Sequence, residues 1–176
     1  MMTPSLTVTR QYGVLPVIVV SDSSPLIALS SVDRLDLMQL LFDTVLIPVS
    51  VRDEVMGSAA KVTVELPPFI RVEPIAAEMP VRFLKLNLHA GESEAIALAL
   101  ERGIQGIILD DKQAREIAAE LGLKVIGTLG LLILAKRKGF LTAVRPIMAQ
   151  IIDRVNFRIA PSVLNRALCL IDEPSL

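Results

Sequence analysis

The sequence predicts an α/β domain with three layers, in which helices cover both faces of a mainly parallel central sheet. Short runs of β-branched residues alternate with helical segments along most of the chain, a pattern typical of βαβ units. Hydrophobic residues make up 52% of the chain but aromatics only 3%, so aliphatic side chains must fill the core. A core of this composition suits parallel strands that are buried on both faces.

The chain is the right length for one domain. Its 176 residues fall within the roughly 100–200 residues that domains commonly have. We expect a loose N-terminal leader at residues 1–13 and the α/β domain at residues 14–160. Residues 161–176 are expected to form a C-terminal helix that packs on this domain or on a partner.

The first half of the chain predicts three strands and three helices. Residues 17–20 form a continuous β-branched run, which indicates a strand buried on both faces. Ser24 and Pro25 follow it, and these residue types favour the capping and first positions of a helix. Pro48 ends the second strand, and Gly57 suits the end of the next helix. The predicted elements are, in order, a strand at 17–20, helices at 25–30 and 32–42, a strand at 45–48, a helix at 49–56, a loop at 58–68 and a strand at 69–75.

The second half alternates more regularly between helices and strands. Its first three helices are each closed by a glycine, namely Gly103, Gly122 and Gly139, which suits a helix end. The predicted elements are helices at 92–100, 112–121 and 129–138, strands at 106–109 and 124–126, and two final helices at 142–154 and 161–171.

Net charge and the short apolar runs exclude several classes of protein. The net charge of −1 argues against binding of nucleic acid through the overall field, so any such contact must be local or pass through a metal ion. Cys169 is the single cysteine, which excludes an intrachain disulfide and fits a reducing cytosol. The apolar runs at residues 14–20 and 125–135 are shorter than the roughly 20 residues of a membrane span, and no cleavage pattern follows the first. We therefore expect a cytoplasmic protein with no membrane segment.

Carboxylates follow two of the predicted strands directly. Asp22 comes after the strand at 17–20, and Asp110 and Asp111 end the strand at 106–109. In open α/β sheets the functional crevice lies beyond the carboxyl ends of the strands, so these side chains are expected at one edge. Capping of a helix explains Asp22 equally well on its own, and one of Asp110 and Asp111 is expected to cap the next helix.

Three glutamates could join this group, although each has a simpler structural explanation. Glu92 and Glu94 open one predicted helix, where each stabilises the helix dipole by about 0.3–1 kcal/mol. They are two positions apart and point about 200° away from each other, so both cannot face one site from a regular helix. Glu54 belongs to the helix at 49–56, where a solvated helix face explains it.

A cluster of carboxylates predicts a divalent metal ion. The charges repel one another and cost stability unless cations neutralise them. Mg²⁺ and Mn²⁺ prefer oxygen ligands, and such ions activate water and stabilise in-line phosphoryl displacement. No other pattern competes, because His89 suits a capping or surface position, Cys169 suits a core, and the chain has no Ser-His-Asp order, CxxC pair or P-loop.

Four segments of the chain resemble, in order, the acidic motifs of PIN domains. They are residues 19–27, 47–55, 88–96 and 108–115, and the similarity continues over residues 127–132 and 135–136. The combination resembles a prokaryotic subfamily of small stand-alone PIN proteins related to VapC-type toxins. The resemblance implies a Rossmann-like sheet and a metal-dependent endoribonuclease that cleaves single-stranded RNA, as the toxin of a toxin–antitoxin pair.

The resemblance also implies roles for individual residues and partners. Asp22 would be a central metal ligand, Glu94 would take the acidic place in the middle of the chain, and Glu54 would be an outer acidic residue. Asp111, with Asp110 close behind, would complete the site. The implied catalytic residues are Asp22, Glu54, Glu94 and Asp111, and the implied ligands of Mg²⁺ or Mn²⁺ are Asp22, Glu94, Asp110 and Asp111. The implied partners are RNA, a small antitoxin protein and a second copy of the chain.

The sequence departs from the family pattern at one place. Gln113 and Ala114 stand where many members carry a late aspartate, so one firmly held metal ion is expected and not two. The same gap leaves open a catalytically weak binding or regulatory module that acts through protein partners. A phospho-acceptor receiver is a third interpretation, but receivers carry their acidic pair after the first strand, whereas this pair comes late in the chain.

Overall fold

The fold is seen in a computed structural model, which describes residues 17–57, 65–76 and 88–175. The predicted leader at residues 1–13 and most of the predicted loop at residues 58–68 lie outside this range. Five parallel strands form one sheet in the order β3-β2-β1-β4-β5, and the predicted three-layer α/β/α class is confirmed. The strands are β1 (Ile18–Ser21), β2 (Thr44–Pro48), β3 (Ile70–Glu73), β4 (Gly106–Ile108) and β5 (Lys124–Ile126).

The helices begin and end close to the positions that the sequence predicts. They are α1 (Ser23–Ser30), α2 (Asp36–Leu41), α3 (Val49–Met56), α4 (Ala90–Glu101), α5 (Lys112–Glu120), α6 (Thr128–Arg137), α7 (Arg145–Val155) and α8 (Pro161–Cys169). The largest difference is α2, which begins at Asp36 and not at residue 32. Asp33 adopts a left-handed backbone with a φ of 55°, and the Arg34 N–H donates to the Leu29 carbonyl at 2.9 Å. This turn follows α1 and delays the start of α2.

The central strands are buried on both faces of the sheet, which explains why their sequences are apolar without alternation. Successive side chains of a strand point to opposite faces. In β1, Val19 therefore packs into one core and Val20 into the other, and Ile108 and Ile107 do the same in β4. The first core contains residues of α1, α2, α3, α6, α7 and α8, and the second contains residues of α4 and α5.

The C-terminal helix packs on the first of these cores. Leu164 and Leu168 of α8 are buried there, together with Ile171 just beyond the helix. Within residues 17–57, 65–76 and 88–175, no helix combines the length and the hydropathy that a membrane span requires.

Glu173 ties the C-terminal segment to the start of α7. Its carboxylate accepts the N–H groups of Val144 at 2.8 Å and Arg145 at 2.7 Å, and it lies 2.6 Å from Nζ of Lys136 on α6. Burial opposes the charge, but these hydrogen bonds outweigh it and lower the pKa of Glu173. The ionised carboxylate also complements the dipole of α7.

We expect Glu173→Gln to lower the free energy of unfolding by about 1–3 kcal/mol at pH 7, because it removes a buried set of charge-assisted hydrogen bonds. A carboxyl with a lowered folded-state pKa adds stability above its unfolded value, near 4.3, and this stability is lost as the pH falls through the folded value. The difference between the variant and the wild type should therefore shrink in acid. Urea titrations between pH 3 and pH 7 measure it.

The matched control is Glu116→Gln. Glu116 pairs with Lys112 at 3.8 Å, and both side chains are exposed. Exposed pairs contribute little, so the free energy of unfolding should change by less than about 0.5 kcal/mol. If Glu173→Gln were no more destabilising than this control, the anchoring role of Glu173 would be wrong.

Candidate functional site

The carboxyl ends of β1 and β4 lie side by side at one edge of the sheet. Ser21 pairs with Ile108 in the parallel register, and the Asp22 N–H donates to the Ile108 carbonyl at 3.1 Å. Asp22 follows β1 directly, and Asp110 follows β4 after one residue. The two aspartates are therefore held at the same edge, and the charge of Asp110 acts on Asp22.

Asp22 is a buried carboxylate that does not act as a helix cap. It occupies the N-cap position of α1, which begins at Ser23, two residues before the predicted start. Its side chain makes no capping hydrogen bond, although the Ser23 hydroxyl approaches Oδ1 at 3.4 Å. Only 2% of Asp22 is exposed. Burying a carboxylate in this way is costly, and capping does not account for it.

Gly91, at the start of α4, allows two carboxylates to approach the same backbone position. A Cβ at Gly91 would lie 2.9 and 3.0 Å from the two carboxylate oxygens of Glu54 and 3.0 Å from Oδ1 of Asp22. A larger residue would have to displace at least one of them. Glu54, on α3, is exposed, as the sequence predicts for a solvated helix face, and it still reaches the neighbourhood of Asp22 across Gly91.

Glu92 and Glu94 leave α4 in different directions, as their spacing requires. Glu92 is buried and accepts the His89 N–H at 3.0 Å. It lines two cavities that also contain Glu54, whereas Glu94 is half-buried and lines neither. The geometry favours Glu92 as the carboxylate that α4 adds to the site, and the role of Glu94 stays a prediction.

Of the two neighbouring aspartates Asp110 and Asp111, one caps the next helix and the other is left available to the site. Asp111 is the N-cap of α5, where its Oδ1 accepts the Ala114 N–H at 2.8 Å. Asp110 is held by Thr128 at the start of α6, whose N–H donates to Oδ1 at 2.8 Å and whose hydroxyl donates to Oδ2 at 2.6 Å. Both aspartates line the same cavity as Glu54.

Two adjoining cavities collect these side chains. One, of about 410 Å³, is lined by Asp22, Glu54 and Glu92. The other, of about 810 Å³, is lined by Glu54, Glu92, Asp110 and Asp111. Because they share two glutamates, the two cavities adjoin, and we call the region bounded by the five carboxylates the acidic cleft.

The pKa of Asp22 is strongly shifted in the acidic cleft. Burial raises the pKa of Asp22 to about 7, although a hydrogen bond from the Ser23 N–H opposes the shift. The nearby charges that raise it further are all carboxylates, those of Glu54, Glu92 and Asp110. Carboxyls with pKa values near neutrality, set by burial and like charges, are concentrated at functional sites.

Two further carboxyls of the cleft are shifted in the same direction. Burial raises the pKa of Glu92, and the charge of Asp111 adds to the effect. Burial also raises the pKa of Asp110, while the hydrogen bonds from Thr128 and the positive charge of Arg115 oppose the shift. Burial is thus the main cause of all three shifts, and neighbouring carboxylates add to it at Asp22 and Glu92.

The donor chemistry of the acidic cleft fits a hard divalent cation. Mg²⁺ is usually held by one or two carboxylates and keeps several water molecules. In the parts of the chain that the structure describes, no three Asp, Glu, His or Cys side chains form a ready-made metal cage. The protein would therefore supply only part of the ligand set, and Asp22 and Glu54, which meet at Gly91, are the best-placed pair.

Sequence reasoning did not assign Glu92 and Thr128 to the site. Glu92 has a simpler explanation in the first turn of a helix, and only the packing of α4 decides which of its glutamates faces the cleft. One feature of the sequence points to Thr128 as a site residue. It follows β5 after one residue, and the end of β5 lies at the same edge of the sheet as the two aspartates. A turn and a helix cap explain that position equally well.

We expect Asp22→Asn to stabilise the metal-free protein at pH 8 by about 1–3 kcal/mol. A carboxyl whose folded-state pKa is raised costs stability as the pH rises above its unfolded value, until the pH passes the folded value of about 7. The gain should be smaller at pH 5. Urea unfolding in EDTA measures both, and Asp36→Asn, at an exposed aspartate of α2, is the control. If the gain in the free energy of unfolding did not depend on pH, the raised pKa of Asp22 would be wrong.

Of the comparisons with known proteins, one identifies the family of this chain. No curated protein and no solved structure matches the sequence significantly. The family model described as PIN domain matches residues 18–173, which is most of the chain. PIN domains are generally nucleases, bind RNA and typically use divalent metal ions. With its all-parallel sheet and carboxylates at the ends of β1 and β4, this chain belongs to the PIN-domain family.

Proposed function

We propose that the protein is an endoribonuclease that cleaves single-stranded RNA in the acidic cleft with Mg²⁺ or Mn²⁺. The observation that carries the proposal is the burial of Asp22 among other carboxylates, with Glu54 brought close to it over Gly91. Such a cluster is destabilising without a cation, so its presence in a folded domain supports a bound cation. RNA, itself an anion, can then approach a cleft that would otherwise repel it.

The side chains of the cleft contribute to this reaction according to their positions. Asp22 and Glu54 would hold the cation, and Thr128 keeps the carboxylate of Asp110 in one orientation beside them. A bound divalent ion supplies charge stabilisation for the phosphoryl oxygens and lowers the pKa of a bound water molecule. Glu92 lines both cavities of the cleft, and burial raises its pKa, so its carboxylate holds a proton more readily than an exposed glutamate does.

Asp111 and Glu94 are the other two candidate site residues of the proposal, and the structure supports Asp111 more than Glu94. Asp111 lines the larger cavity of the cleft and its charge acts on Glu92. Glu94 is supported by its motif position alone, because it lines neither cavity of the cleft.

We expect Asp22→Asn to slow cleavage of a labelled single-stranded RNA by at least about 100-fold, because the variant loses the central carboxylate. A gel assay with Mg²⁺ or Mn²⁺ measures the rate, and EDTA should abolish it. Asp36→Asn is the matched control, since Asp36 is exposed and pairs with Arg34 at 3.1 Å. It should keep the wild-type rate. Equal cleavage by Asp22→Asn and Asp36→Asn would disprove the assignment of Asp22.

The two glutamates of α4 can be separated by titration with Mn²⁺. We expect Glu92→Gln to weaken Mn²⁺ binding by about 10-fold, because Glu92 faces the cleft, and Glu94→Gln to change it by less than about 2-fold. Isothermal titration calorimetry on the wild type and both variants measures this. The reverse order would favour the role that the motif position of Glu94 implies.

A catalytically weak binding module is the second candidate function. It is favoured by the exposed Gln113 and buried Ala114 at the place of the late aspartate, and by the lack of a closed cage in the described residues. This candidate predicts no carboxylate-dependent binding of Mn²⁺ in the micromolar range. Tight binding that Asp22→Asn abolishes would argue against it.

The toxin role, a small antitoxin and a homodimer complete the proposal. Their support is the resemblance to VapC-type proteins, together with exposed apolar side chains such as Leu170 and Val163 near the C-terminus. A toxin would arrest the growth of cells that express it, and the arrest would require Asp22. Growth that is unaffected by expression of active nuclease would leave the nuclease without a toxin role.

A further inference from the structure

A further cavity, separate from the two that form the acidic cleft, adjoins the cleft on the side of β5. It has a volume of about 890 Å³ and shares with the cleft the residues Asp110, Lys112, Phe157 and Arg158. Apolar side chains form much of its wall, among them Val125, Ile126, Leu129, Ile133 and Val163. We call this space the apolar pocket. Because the two spaces share these residues, an extended ligand that binds at their boundary can contact both.

Cations outnumber carboxylates on the rim of the apolar pocket, where Asp110 and Glu116 also lie. Lys112 and Arg115 of α5 and Arg158, from the segment between α7 and α8, all line the pocket. Lys112 is 90% exposed and pairs only loosely with Glu116, at 3.8 Å. Arg158 is also exposed. Lys112 and Arg158 can therefore contact an anion without giving up a strong ion pair.

Phe157 stands at the boundary between the apolar pocket and the cleft. Asn156, the C-cap residue of α7, has a left-handed conformation with φ 54° and ψ 45°, so Phe157 and Arg158 leave the helix direction. Phe157 is half-buried, packs against the first core and lines both spaces. Core packing explains its buried part but not its position between the carboxylates of the cleft and the cations that line the pocket.

We propose that the apolar pocket binds the nucleotide that neighbours the phosphate held in the acidic cleft, with its base against Phe157 and a phosphate on Arg158 and Lys112. The inference rests on the proposed function, since it takes RNA as the ligand of the cleft. Proteins that bind single strands commonly stack bases on aromatic side chains and hold the backbone with cations. A base inside a duplex is stacked on its neighbours, so this pocket would select single strands.

A protein segment is the competing occupant of the same walls. The groups present favour a polynucleotide, because a cation held by the carboxylates would lie beside Lys112 and Arg158, which line both the cleft and the pocket. A phosphodiester chain carries a negative charge at every residue and matches a series of positive groups. An apolar wall between positive groups matches a base between phosphates.

The test measures binding of RNA separately from its cleavage. Fluorescence anisotropy of a short fluorescein-labelled single-stranded RNA of mixed sequence is recorded with Ca²⁺ in place of Mg²⁺. The variants are Phe157→Leu, which removes the ring but stays apolar, Phe157→Tyr, which keeps the ring, and Arg158→Gln. The matched controls are Phe140→Leu and Arg166→Gln, which replace exposed residues that line neither space.

We expect Phe157→Leu to weaken binding by about 10-fold and Phe157→Tyr to bind like the wild type, because the ring provides the stacking surface. Arg158→Gln should weaken binding and lower the slope of log Kd against log salt by about 0.7, the value for one phosphate contact on a single strand. Because Arg158 is exposed, this variant folds even if Phe157→Leu does not. The controls should not differ from the wild type.

The outcomes distinguish this inference from the proposed function. If the protein binds RNA in this pattern but does not cut it with Mg²⁺ or Mn²⁺, the pocket stands and the nuclease proposal fails. If RNA is cut but Phe157→Leu and Arg158→Gln bind it as the controls do, the pocket proposal is overturned and a protein segment becomes its occupant. Absence of RNA binding by the wild type also overturns it.

Discussion

Burial of Asp22 among other carboxylates is the constraint on which this site depends. Asp22 lies almost without solvent at the end of β1, and Glu54, Glu92 and Asp110 all disfavour its charge. Three elements far apart in sequence, α3, α4 and the end of β4, contribute these groups. Such a cluster destabilises the folded protein when no cation is bound. Binding of a cation relieves this electrostatic cost, and the relief contributes to the affinity for the cation.

Small structural devices keep the cluster in place. Gly91 lacks the Cβ that would separate Glu54 from Asp22, and Thr128 holds both oxygens of Asp110. The Asp22 N–H joins β1 to β4, so the two aspartates cannot move apart without breaking the sheet. Rigid elements at the sheet edge therefore fix the carboxylates before any cation or substrate arrives, which is what positioning of a reaction requires.

The C-terminal part of the chain links the stability of the domain to the surface beside the cleft. Glu173 joins the last residues to Lys136 and to the start of α7, and α8 packs on the first core. Buried residues of α7 and of α8 pack on this core, so the connection between the two helices, where Phe157 and Arg158 lie, is held on both sides. The same packing that completes the core thus positions an aromatic ring and a cation next to the carboxylates.

The sequence by itself determined the order of elements and the acidic strand ends. β-branched runs without alternation indicate strands buried on both faces, and parallel connection then brings Asp22 and Asp110 to one edge. Only the tertiary structure decided which carboxylates meet there. Glu92 and not Glu94 faces the cleft, because the packing of α4 sets its rotation, and Glu54 reaches Asp22 because α3 lies against α4 at Gly91. These choices depend on contacts between distant segments, which periodicity and spacing along one chain do not record.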